Sequence, residues 1–96
     1  MEMVYLLYQM EFEFDPAKSA ANKAKHGIDF IEAQALWHDP ERLEVPARSV
    51  DEPRLQVVGQ IGDTVWSAFV TTRDSRIRII SVRRARDEEE AAYLEI

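Results

Sequence analysis

The sequence predicts an α+β fold: two N-terminal helices and a C-terminal helix packed on a mostly antiparallel sheet, in the order β-α-α-β-β-β-β-α. Three observations predict it. Helix caps and helical spacing are confined to residues 15–39 and 87–95. Period-two strand patterns fill most of residues 43–85, and tight turn signals at Gly62-Asp63 and Asp74-Ser75 join them. Helices segregated from a strand meander mean α+β rather than a doubly wound sheet.

Each element has its own signal. Met10-Glu11-Phe12-Glu13-Phe14 closes an aromatic stretch from Tyr5 and alternates as a half-buried strand does. Asp15-Pro16 then supplies a helix N-cap and a first-turn proline. Ala17, Ala20, Ala21 and Ala24 recur at helical spacing and predict a thin buried stripe. Gly27 stops that helix. Asp29 and Glu32 form a capping-box signal for a second helix, with Phe30, Ala33 and Trp37 on its buried face, Ile31 and Leu36 beside them, and Asp39-Pro40 at its end. Leu43–Ala47 reads as an edge strand because Pro46 cannot donate to a ladder. Residues 54–61, 64–72 and 76–85 read as long strands, and 87–95 as a final helix whose acids sit at its favourable N-terminal end.

Ninety-six residues fit one domain, with residues 1–11 as an N-terminal extension that is either an extra strand or a stretch preceding a true start at Met10. No cysteine is present, which excludes a disulfide scaffold, a thiol nucleophile and a thiolate zinc site. The apolar N-terminus is too short to span a bilayer and lacks the basic start of a signal peptide, so a cytoplasmic location away from membranes is expected. The net charge of −6 argues against general nucleic-acid binding. Its distribution differs: residues 73–86 hold six Arg and one Asp, residues 87–96 five acids and no base. A local cationic site on an acidic body suits a phosphate pocket better than a duplex-binding surface.

Two stretches resemble a known family. One runs Phe12-Glu13-Phe14-Asp15-Pro16-Ala17-Lys18 through Asn22 to Lys25-His26-Gly27-Ile28-Asp29-Phe30 and Glu32-Ala33. The other is Arg76-Ile77-Arg78-Ile79-Ile80-Ser81-Val82-Arg83-Arg84-Ala85, followed by Tyr93. Together they resemble the BrnT toxins of type II toxin–antitoxin systems, over roughly residues 12–93. The resemblance implies a RelE-like ribonuclease fold and RNA cleavage without a metal or other cofactor. It also implies neutralisation by a BrnA-like ribbon-helix-helix antitoxin, which carries the contact with promoter DNA, in a toxin–antitoxin heterotetramer. This chain departs from the family pattern at Phe14 and Val70. Its last helix opens with Arg86 and reads Asp-Glu-Glu-Glu where the family is rich in arginine.

Metal-free RNA cleavage needs a base for the ribose 2′-hydroxyl, cations for the charge on phosphorus and an acid for the leaving oxygen. With the resemblance, this picks His26, Arg78, Arg83, Lys25 and Tyr93 as catalytic candidates. Arg76, Arg84 and Lys18 are candidate RNA-phosphate ligands. Arg78 and Arg83 stand an odd number apart, so a regular strand would point them to opposite faces unless a bulge intervenes. Several residues also have plain roles open to them. His26 can simply end a helix, where the dipole favours basic residues, Tyr93 can be a packing ring, and Glu88-Glu89-Glu90 a solvated helix face. His38 reads as structural, and the two histidines lack a third ligand for a metal site. The expected function is a ribonuclease toxin. The alternative is a catalytically weak antitoxin-binding module acting in transcriptional autorepression.

Overall fold

A computed structural model describes residues 10–48 and 52–95. The strand reading over residues 5–9 lies outside them, as does the reading of residues 1–9 as an extension. The element order is β1 (Phe12–Glu13), α1 (Pro16–His26), a 3₁₀ helix (Glu32–His38), β2 (Leu43–Ala47), β3 (Arg54–Ile61), β4 (Thr64–Arg73), β5 (Arg76–Arg84) and α2 (Asp87–Leu94). The five strands lie in the order β1-β5-β4-β3-β2. Among the described residues, only the β1–β5 pairing is parallel. β2, with Pro46, is an edge strand as expected.

The hairpin turns explain the meander. Gly62, at φ +63°, joins β3 to β4. Asp74 and Ser75 join β4 to β5 with φ of 52° and 67°. Positive φ at both central residues is the type I′ geometry, whose twist matches the strands it connects.

Strand alternation divides the core in two. Val57, Ala68, Val70, Ile79 and Val82 face Ile28, Phe30, Ala33 and Leu36 on one side of the sheet. Val58 and Val65 face Tyr93 of α2 on the other. So the N-terminal helices and the last helix cover opposite faces.

Three details differ from expectation. The second helix is 3₁₀ throughout its length, although the Asp29–Glu32 capping box forms in both directions, at 2.7 and 2.9 Å. Ile31 is 65% exposed rather than packed beside that face, whereas Leu36 is fully buried. The alanine stripe of α1 is solvent-facing, and the residues α1 buries are Ser19 and Asn22. Hydrogen bonding explains the reversal. The Phe30 N–H donates to Ser19 Oγ at 2.9 Å. Asn22 Nδ2 donates to the carbonyls of Ile28 and Val82, and its Oδ1 accepts from the Val82 N–H. Because β1 covers only Ile77 and Arg78, among the described residues no strand pairs with β5 at Val82 on that side, and the Asn22 amide takes the place of one. A buried polar group is tolerated where its bonds are made, and here α1 makes them with its polar face.

Candidate functional site

β5 is not regular. Phe69 of β4 faces Ser81, and the next residue, Val70, faces Ile79, so Ile80 is the extra residue of a β-bulge. The bulge changes the strand's parity. Ile79 and Val82 both enter the first core, three positions apart. Arg78 and Arg83, five apart, therefore both point to the face that α2 partly covers.

That face is laid out in rows. Thr71 pairs with Arg78, and Arg78 pairs with Glu13. Arg54 lies level with Thr71, one residue before the Leu55–Val70 pair. Two residues along β4, Phe69 pairs with Ser81 and Gln56. Two further on, Ser67 pairs with Arg83 and Val58. The Arg83 guanidinium stands 5.2 Å from the centre of the Phe69 ring. The result is an aromatic floor with arginines on both sides. Guanidinium forks match phosphate oxygens, and an aromatic ring offers a surface on which a base can stack.

α2 caps one end of this face through Glu89. Both Glu89 oxygens accept from the Arg83 fork, at 2.8 and 2.9 Å. Ser67 Oγ, Gln56 Nε2 and the Arg86 N–H also donate to Glu89. The Arg83 hydrogen bonds, then the Arg86 N–H, Gln56 and Ser67, outweigh burial and hold the Glu89 carboxyl far below the usual carboxylate range. Glu89 is therefore no solvated helix residue, whereas Glu88 and Glu90 are exposed.

Arg78 is held differently. Its nearest carboxylate oxygen is Glu13 Oε1, at 3.6 Å, beyond hydrogen-bond range. Among the described residues, Glu13 Oε1 is buried with no hydrogen-bond partner, and so is Arg54 Nε in the same row. Arg78 keeps a third of its side chain exposed. Arg76, at the start of β5, pairs with exposed Glu11 at 3.1 Å. Arg84 lies on the opposite face, 5.9 Å from the centre of the Trp66 ring.

The remaining candidates are dispersed. His26, half-buried, ends α1 one turn beyond Asn22, and Lys18 and Lys25 are exposed on the same helix. All three belong to the helix on the first-core side, away from the face of Arg78 and Arg83. Tyr93 is buried between Val58 and Val65, and its hydroxyl donates to Asp39 Oδ2 at 2.6 Å. That hydrogen bond, with burial second, pushes the Tyr93 hydroxyl up to about 12. Burial alone would raise Asp39. The donors Tyr93, Gln60 N–H and Glu41 N–H, with the charge of Arg42, reverse this and lower it. A shallow depression of about 420 Å³ lies beside the pair, bordered by His38, Gln60 and Gly62. No group of three His, Asp or Glu side chains is placed to hold a metal ion among the described residues.

Sequence reasoning missed Glu13, Arg54, Phe69, Ser81 and Glu89 as members of the site. Glu13 and Ser81 stood inside the motifs quoted above. Phe69 and Arg54 come from neighbouring strands, and no local pattern marks them.

Over residues 14–89 the chain matches the profile of a family described as ribonuclease toxin, BrnT, of type II toxin-antitoxin system. Among curated proteins no match to the chain is found.

Proposed function

The chain belongs to the BrnT family of ribonuclease toxins of type II toxin–antitoxin systems, and from that premise we propose that it is a metal-independent endoribonuclease acting in the cytoplasm. Its RNA site is the sheet face shared by Arg78 and Arg83. A BrnA-like ribbon-helix-helix antitoxin neutralises it in a heterotetramer and carries the promoter contact. The observation that supports this reading best is the bulge at Ile80, which gathers both arginines around Phe69 and Ser81. Arg78 holds phosphate, Phe69 stacks a base, and Arg76 extends the cationic track. His26, Lys25 and Lys18 contact RNA where it leaves that face and passes the edge of β5. Arg84 does so on the other side of the sheet.

One observation favours a second reading. The Arg83 fork is already filled by Glu89, as in an arginine kept for structure. On that reading the chain is an antitoxin-binding module with little activity.

The two separate in one experiment. The chain is expressed alone and with its ribbon-helix-helix neighbour, and purified protein is given single-stranded RNA with and without EDTA. The ribonuclease reading expects growth arrest relieved by the neighbour, RNA cleavage that survives EDTA, and loss of cleavage in Arg78→Ala. Protein that folds and binds the neighbour but leaves RNA uncut establishes the second reading.

A further inference from the structure

We propose that Glu13 is the general base of the RNA-cleaving reaction and that Arg78 holds the scissile phosphate, an assignment that rests on the ribonuclease reading above.

The cross-strand row carries the inference. Glu13 and Arg78 are partners in the parallel β1–β5 pairing, so a carboxylate and a guanidinium project side by side from adjacent strands. Their closest atoms stand 3.6 Å apart. That spacing gives Coulombic attraction without a hydrogen bond joining the two groups. Glu13 Oε1 is itself buried and bonds to nothing among the described residues, while the Glu13 side chain as a whole keeps 26% of its surface exposed, and it is from that exposed side that a hydroxyl would reach the carboxylate. A carboxylate accepts at about four lone-pair positions. The pair offers an acceptor for one hydroxyl beside a cationic fork for one phosphate. A ribose 2′-hydroxyl and the adjoining 3′-phosphate present that same combination.

The other acidic and basic groups fit the role less well. Glu89 already accepts five hydrogen bonds, and its depressed proton affinity makes it a poor base. Glu11 is exposed and bound to Arg76. His26 is on the helix covering the opposite face. Arg78 and Arg83 stand level with Thr71 and Ser67, four residues apart on β4, which is roughly 13 Å along the strand. With Glu89 in its fork, Arg83 is better suited to a neighbouring nucleotide than to the reacting phosphate.

The chemistry balances without a cofactor. The Glu13 carboxylate takes the 2′-hydroxyl proton. The 2′ oxygen forms its bond to phosphorus as the bond from phosphorus to the 5′ oxygen breaks. That oxygen leaves with a proton from water, and the hydroxide so formed recovers the proton held by Glu13, giving a 2′,3′-cyclic phosphate, a 5′-hydroxyl end and the carboxylate restored. Arg78 stabilises the charge that grows on the phosphate oxygens.

The test uses the full chain, an RNA oligonucleotide and its all-2′-deoxy counterpart, which binds but cannot react. Glu13→Gln is expected to lower single-turnover cleavage by about 10²–10⁴-fold, with binding of the deoxy oligonucleotide unchanged. Glu13→Asp should recover part of the rate, because it restores the charge one methylene short. A Gln variant that cleaves at the wild-type rate overturns the assignment of Glu13 and leaves the ribonuclease reading standing. A wild-type chain that cuts no RNA overturns both. Should the variants not fold, a crystal structure of the wild-type chain with the deoxy oligonucleotide decides. The assignment expects a C2′ atom within about 4 Å of the Glu13 carboxylate and the adjoining phosphate on Arg78. A nucleotide seated elsewhere overturns it.

Discussion

The side-chain amide of Asn22 bonds both backbone groups of Val82, accepting from its N–H at 3.2 Å and donating to its carbonyl at 2.9 Å. It thereby ties α1 to the edge of β5, one residue from Arg83. The same amide reaches the Ile28 carbonyl and so fixes the chain leaving α1.

Asn22→Ala should therefore be costly. It strands buried backbone groups, each worth about 1–3 kcal/mol when left unsatisfied. We expect a loss of about 2–4 kcal/mol in urea denaturation and a fall in Tm of about 10 °C or more. Asn22→Asp should do no better, since a carboxylate cannot donate to the carbonyls of Ile28 and Val82. An alanine variant as stable as the wild type would show that α1 is held by other contacts.

Arg78 and Arg83 should separate in their effects. Arg83→Ala leaves the half-buried Glu89 without its main partner, and we expect a loss of about 2–3 kcal/mol. Arg78→Ala removes only a loose, partly exposed pair and should cost under about 1 kcal/mol while abolishing RNA cleavage. Paired denaturation curves and cleavage assays check this. Equal destabilisation by the two variants would contradict it.

Acid should act through Glu89. Its folded-state proton affinity is depressed, so its contribution is complete above the unfolded carboxylate value of about 4.3 and fades as pH falls below that. Denaturation midpoints between about pH 5 and pH 3 should show a fall that is smaller in Glu89→Gln. The variant itself starts from a lower stability because its amide cannot accept both Arg83 donors.

Alkali should act through Tyr93, with the opposite sign. The folded value is raised to about 12 from 10.0, so the stabilisation is complete below pH 10 and is lost as pH rises toward 12. Absorbance titration should show one tyrosine ionising late. Tyr93→Phe should remove that late step and lower stability by about 1 kcal/mol by deleting the bond to Asp39.

The type I′ turn offers a stabilising change. Ser75 holds φ at 67°, a conformation that costs a side chain about 1 kcal/mol and glycine little. Ser75→Gly creates the Asp-Gly pair favoured there and should raise stability by about 0.5–1 kcal/mol. A lower Tm in this variant would show that Ser75 has an unrecognised role.

The sequence by itself determined much of this protein. Asp15-Pro16, Gly27 and the Gly62 and Asp74-Ser75 turns act over a few residues, so the element order could be read from them without tertiary information. The Arg-rich strand, the acidic last helix and the two family motifs were equally local. Three things were decided only in three dimensions. Alanine spacing shows that a helix forms but not which face is buried, and here the Asn22 and Ser19 hydrogen bonds selected the polar side. The bulge at Ile80 has no signature in Arg-Ile-Arg-Ile-Ile-Ser, because it arises from the register between β4 and β5, yet it puts Arg78 and Arg83 on one face. The neighbours of those arginines, Glu13 and Phe69, are brought in by strand pairing across 65 and 14 positions of sequence (Glu13 to Arg78, Phe69 to Arg83). Local patterns carry backbone preference and burial tendency. The chemistry of this site depends on which strands meet and in what register.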